Sequence, residues 1–187
     1  MLNSSILKNI LIAATQGKEY PITWSAFGSA LNSYVTANAI ISGTYSSGMI
    51  PGTPPVVSPL SGSVQYVIIL NIPTPALIVA MQAASSIPNT NGLRIIQAGL
   101  IPLIQSSMIV IQLSILGTVA LSSPLLFPMA PGNTNVDMSE MNRSQVMFEI
   151  AQYIVERITG CIITPPAVPA VGSDGSVGGT VSGLSIQ

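Results

Sequence analysis

Few side chains in this 187-residue chain can carry chemistry, and their spacing does not bring them together. Histidine is absent, Cys161 is the single cysteine, and the acids are Glu19, Asp137, Glu140, Glu149, Glu156 and Asp174. Without a histidine or a second cysteine, Ser-His and Cys-His nucleophile pairs and the usual zinc sites are excluded. Acid-base work by carboxylates needs two acids converging in a pocket, whereas Glu149 and Glu156 stand seven residues apart, a stripe on one helix facing water or a partner. Asp137 and Glu140 hold a metal only if further ligands converge on them, and a solvated helix start is the expectation. Cys161 cannot form an intrachain disulfide and reads as a small buried hydrophobe. Tyr34, Tyr153 and Trp24 fit core packing or an interface anchor better than a binding cage. Gly175, Gly178, Gly179 and Gly183 have no helix after them and so do not form a phosphate loop. No catalytic, cofactor-binding or metal residue is assigned, no cofactor is expected, and the chain is read as not an enzyme.

The elements that would hold these residues are mostly helices. Ile6, Leu7, Ile10 and Leu11 share a face of a short helix from about Ser5 to Ala14. A second helix is expected from about Trp24 to Ile41, with Phe27, Leu31, Tyr34 and Val35 inward. Ser63 to Leu70, SVQYVIIL, is β-branched enough to be a strand. Pro75 suits the first turn of a helix running to Ser85. An apolar helix from Gly92 to about Gly117 is expected to be interrupted near Pro102. The last helix begins near Asp137, whose spacing to Glu140 approximates a capping box. Val146, Met147, Ile150, Ala151, Ile154 and Ile158 then recur at helical spacing, opposite a polar stripe of Gln145, Glu149, Gln152 and Glu156.

Three similar segments follow helices: TPPVVSP before Gly62, SPLLFP before Gly132, and TPPAVP before Gly172. Gly43, Gly117 and Gly160 stand upstream of them, where a left-handed helix cap suits glycine. Proline favours extended polyproline conformation, and the interspersed Val, Leu and Phe give such a strip something to bury. The expected fold is therefore mainly α with extended Pro/Gly-rich arms and a minor β component. A small helical body, a single domain over 1–171, carries arms near 52–62, 123–132 and 164–172, and a Gly/Ser-rich tail over 172–187. A tail of that composition needs something to hold it, a partner subunit or the parent domain.

Charge is the strongest regional signal. Only 6% of residues are charged and 48% are hydrophobic, and no charge occurs from Tyr20 to Leu93 or from Ile95 to Val136. Lys8, Lys18, Arg94, Arg143 and Arg157 are scattered and the net charge is -1, so there is no basic field for nucleic acid. A surface largely covered by neighbours explains the deficit, because charges would be costly to desolvate there. A membrane-integrated pore or holin-like protein is the alternative, with Leu100 to Leu121 as its spanning helix. That run carries Pro102, Gln105, Ser106, Ser107, Gln112 and Ser114, which lipid would leave without partners.

In its helix-plus-arm units, its near absence of charge and its Gly/Ser tail, the chain resembles small virion structural proteins of tailed bacteriophages, such as capsid cement, neck or tail accessory subunits. The resemblance covers composition and the TPP-to-Gly units. It implies a many-copy virion protein that bridges copies of itself and other structural subunits through its arms and does no chemistry. It transfers no functional residues.

Overall fold

The first helix, α1 (Ser4–Thr15), starts where Asn3 can cap it: the Asn3 amide oxygen accepts from the N–H groups of Ser5 and Ile6 at 3.0 and 3.1 Å. Leu7 and Leu11, one turn apart, are fully buried, while Ile6 is left 53% exposed. The second helix, α2 (Ile22–Asn38), buries Phe27, Leu31, Tyr34 and Val35, the expected face. It stops at Ala39, whose extended backbone hands the chain directly to β1 (Ile40–Ser46). The computed structural model describes all residues except 47, 59, 89–90, 114–116, 119–132 and 164–170.

After β1 come two short strands, β2 (Met49–Ile50) and β3 (Val56–Val57), paired antiparallel as a small hairpin. The long strand β4 (Ser61–Leu70) follows, then α3 (Thr74–Ser85), which carries Pro75 in its first turn. Next, α4 (Gly92–Ile95) passes through a π-turn over Ile96–Leu100 into α5 (Ile101–Ser107). Pro102 has no N–H to continue an α-helical ladder, and the wider turn before it accommodates that loss. Within that turn, Gly99 lets α3 come close, since a Cβ there would lie 2.9 Å from the sulfur of Met81 and 3.0 Å from the carbonyl oxygen of Ala80. The chain then becomes β5 (Met108–Gln112) and, further on, β6 (Gly117–Thr118). Helix α6 (Arg143–Thr159), β7 (Val171–Gly172) and β8 (Thr180–Ile186) complete the order.

Four strands form an antiparallel sheet in the order β5-β4-β1-β8. Alternation sorts its two faces. Ile41 and Tyr45 of β1, Val64, Tyr66, Ile68 and Leu70 of β4, Met108 of β5 and Ile186 of β8 are buried. The helices cover this inner face, with α2 against β4, α3 beside α2, and α1 packed between α2 and α6. The molecule is thus two layers, helices on one side of a sheet.

The expectation of a mainly α fold with minor β is therefore corrected to a mixed α/β fold built on this four-stranded sheet. Three segments account for the difference. Ile40 and Ile41 do not extend α2 but open β1. Residues 108–112 do not continue the apolar helix but form β5, because a run of uninterrupted apolar residues has no periodicity to separate helix from strand. The tail expected over 172–187 supplies β8, paired with β1 of its own chain. In β8, Gly183 adopts φ +65° and the register shifts between Ser42 and Thr44, a bulge that sets Gly183 and Leu184 against Gly43. The bulge keeps Val181, Leu184 and Ile186 on the inner side despite their spacing of three and then two, which breaks simple alternation.

Other boundaries shift too. Gly43 lies in β1 and Gly117 in β6, and Gly160 follows α6 with φ -83°, so none is a left-handed helix cap. Asn142 and Gln145, not Asp137 and Glu140, form the capping box of α6. Asp137 instead bonds the N–H and hydroxyl of Ser139 in a local turn. The arm near 52–62 is the β2–β3 hairpin leading into β4. The arm over 123–132 lies outside the described residues, as does that over 164–172 up to residue 170. The proposed span over 100–121 is helix only to Ser107 and strand from Met108, and among the described residues no helix is long and apolar enough to cross a membrane.

Candidate functional site

The small strands gather at one end of the sheet, where the arm and the tail are tied together. Met49 and Val177 exchange backbone hydrogen bonds at 2.9 Å, adding the tail to the β2–β3 hairpin. Beside them the Ser58 hydroxyl donates to the Asp174 carboxylate, and the N–H of Ser176 donates to the same carboxylate at 3.0 Å. Ser58 also accepts from the N–H of Leu60 at 3.1 Å, so the Asp174 carboxylate clamps the start of β4. Hydrogen bonds from the Ser58 hydroxyl and the Ser176 N–H hold the Asp174 carboxyl below the usual carboxylate range. Asp174 stands in the turn Gly172-Ser-Asp-Gly-Ser176, closed by Gly172 N–H to the Ser176 carbonyl at 2.8 Å, with Gly175 at φ +83°. The Tyr45 ring, 1% exposed, ends against Gly172 and Gly179, where a Cβ would lie 3.0 and 2.8 Å from its hydroxyl.

Chemically this cluster is a staple. Asp174 is already ionised and bonded, so it is a poor base for Ser58. The sequence reading missed both Ser58 and Asp174. The G-S-D-G-S run is a turn signature from which the local half of the cluster could have been read. The pairing across more than a hundred residues has no local signal.

The acidic stripe is where the spacing placed it. Glu149, Gln152, Tyr153 and Glu156 of α6 line a cleft of about 240 Å3 with Leu93, Asn133 and Val136. Gln152 donates to Glu156 at 2.8 Å. Two turns of helix set the backbones of the two acids about 10.5 Å apart along the axis. Among the described residues, no three metal-ligating side chains of the His, Cys, Asp and Glu kind converge.

The remaining residues singled out by the sequence are structural. Tyr34 is buried and donates to the Asn3 carbonyl at 2.9 Å, tying α2 to the start of α1. Trp24 meets Phe27 edge to face with centroids 5.5 Å apart. Arg94 is exposed and donates to the Asn135 side chain at 2.8 Å, so its partner within the chain is an amide. Cys161 is buried, and desolvation pushes its thiol up to about 12. Buried Tyr153 is likewise raised by desolvation.

Among the described residues, no helix packs on the outer face of the sheet. Register places Ile40, Val67, Ile69, Ile109 and Ile111 together on it, across β1, β4 and β5. Ile109 is 56% exposed and Ile111 44%. Toward β8 the same face turns to hydroxyls: Ser42 is opposite Ser185, Thr44 opposite Ser182 and Ser46 opposite Thr180. The hydroxyls of Thr44 and Ser182 lie 3.1 Å apart. No Asp, Glu, Lys or Arg occurs in any of the four strands. The hairpin repeats the theme, with Val56 and Val57 at 60% and 67% exposure and Pro51, Pro54 and Pro55 all exposed. The charges sit elsewhere, on α1, α6, the segments leading to α2 and α6, Arg94 and the Asp174 turn.

Fold and surface together define a two-layer α/β domain with one charged helical side and one uncharged sheet side. No protein-family model matches this sequence, and no curated protein or solved structure is similar to it.

Proposed function

We propose that this chain is a non-enzymatic structural subunit of a large multi-copy assembly, a virion component that bridges neighbouring subunits. The carrying observation is the pair of uncharged, partly apolar surfaces, the outer sheet face and the β2–β3 hairpin. Uncharged surface with Val, Ile and Pro exposed has little to lose on desolvation, which suits a contact made many times over. The virion setting comes from the compositional resemblance. Its partners are copies of itself and other structural subunits. The tail completes the subunit's own sheet, and the bridging falls to the hairpin and the sheet face.

The test is to purify the chain from its native source without detergent and weigh what contains it. Recovery in many copies within one large particle supports the reading. Recovery as a free monomer, or retention in membranes until detergent is added, refutes it.

A further inference from the structure

We propose that the outer face of the sheet, centred on β4 and β5, docks against the same face of a second copy of this chain. The inference deepens the reading above by naming one surface and its partner.

Three observations converge on it. The first is the contiguous apolar strip of Ile40, Val67, Ile69, Ile109 and Ile111, with Leu113 a further 56% exposed at the end of β5. Four strands about 4.8 Å apart and roughly seven residues long give a face on the order of 400 Å2 in plan. This whole face, with the apolar strip toward β4 and β5 and the hydroxyls toward β8, is the area on offer. Counted on both copies it approaches the lower bound, about 1,000 Å2, for a specific interface. The expected dimer is therefore reversible and concentration-dependent.

The second is charge. A two-fold contact sets a patch against itself, so a charged patch would meet its own sign. This face carries no charge at all, which makes it self-compatible, while a partner recognised by salt bridges finds nothing to pair with. The third is the composition of the rim. Thr44, Ser182 and Ser185, all exposed, border the apolar strip with groups that both donate and accept, so either copy can supply the donor. Packed sheets stand about 10 Å apart, and isoleucines from two such faces fill that gap without an intervening helix.

The experiment uses the full chain. Its mass is followed by light scattering from about 1 to 200 μM, beside Ile109→Lys, Ile109→Glu, Ile111→Lys and, on the helical side, Val79→Lys. Val79 is 66% exposed on α3 and serves as the control. Wild type and Val79→Lys are expected to dimerise alike, and each sheet-face variant to dissociate at least about tenfold more readily, because a buried Ile side chain is replaced by a charge. Circular dichroism and melting establish that the variants are folded. Mixing Ile109→Lys with Ile109→Glu at low salt should restore association, which a merely damaged fold could not do. Sheet-face variants that associate as wild type does overturn the inference and leave the assembly reading standing. So does a wild type that remains monomeric at 200 μM while the native particle still contains many copies.

Discussion

Asn32 and Thr36, one turn apart on α2, act as a strand in side-chain form for the end of β4. The Asn32 amide donates to the Ile72 carbonyl at 3.2 Å and accepts from the Ile72 N–H at 3.1 Å. Thr36 accepts from the N–H of Leu70 at 3.0 Å and donates to its carbonyl at 3.5 Å. Replacing Asn32 by Ala removes two hydrogen bonds worth about 1 kcal/mol each and leaves the polar backbone of Ile72, 3% exposed, without partners. Water can reach the half-buried side of the site, so the total should be about 3 kcal/mol rather than the sum of two full desolvation penalties. For a domain of this size that is a fall in Tm of roughly 6–12 °C. Asn32→Asp should cost at least as much, since a carboxylate would face the Ile72 carbonyl. Thermal melting of Asn32→Ala, Thr36→Val and the double variant tests the idea, with non-additivity of about 0.5 kcal/mol or more expected for two groups holding one strand end. A loss under about 0.5 kcal/mol for Asn32→Ala, typical of an inert surface substitution, would refute the reasoning.

Two further outcomes follow from the ionisable groups. With its thiol pushed up to about 12, Cys161 should react with a maleimide or disulfide reagent at pH 8 about a thousandfold more slowly in the folded chain than in denaturant; equal rates would show that the site opens readily. The Asp174 carboxyl is depressed on folding, so its stabilising contribution is present above the ordinary Asp value of about 3.9 and is lost as pH falls through the lower folded value. Wild type should accordingly lose more Tm than Asp174→Asn on going from pH 6 to pH 2.5, and parallel curves would mean that the carboxylate does not hold the tail.

How much of this was readable from the sequence depends on the range of the forces involved. The cores of α1, α2 and α6 were legible because Leu7 and Leu11, Phe27 and Leu31, and Ala151, Ile154 and Ile158 repeat at helical spacing against polar neighbours. β4 was legible because β-branched residues cluster within it. β5 was not, since MIVIQ continues an apolar run and only pairing with β4 makes it a strand. β8 was hidden by its own bulge, which breaks the alternation, and by glycines that read as a flexible tail. Of the candidate surface, the absence of charge was plain from composition, but which uncharged residues share a face depends on the register of β4 with β1 and β5. The Ser58–Asp174 contact joins positions with no local relationship.

The pairing of β1 with β8 also has a consequence in time. β8 is encoded about 130 residues after β1 ends, and at 5–20 residues per second a ribosome needs roughly 7–26 s to cross that interval. Once β4 has been made, β1 can pair with it on one side while the other side stays an open row of backbone donors and acceptors. Ribosomes following one another on a message hold several chains in that condition side by side. The β8 of each chain is chemically identical to that of the others, so until its own β8 is made the open edge of β1 matches any of them equally.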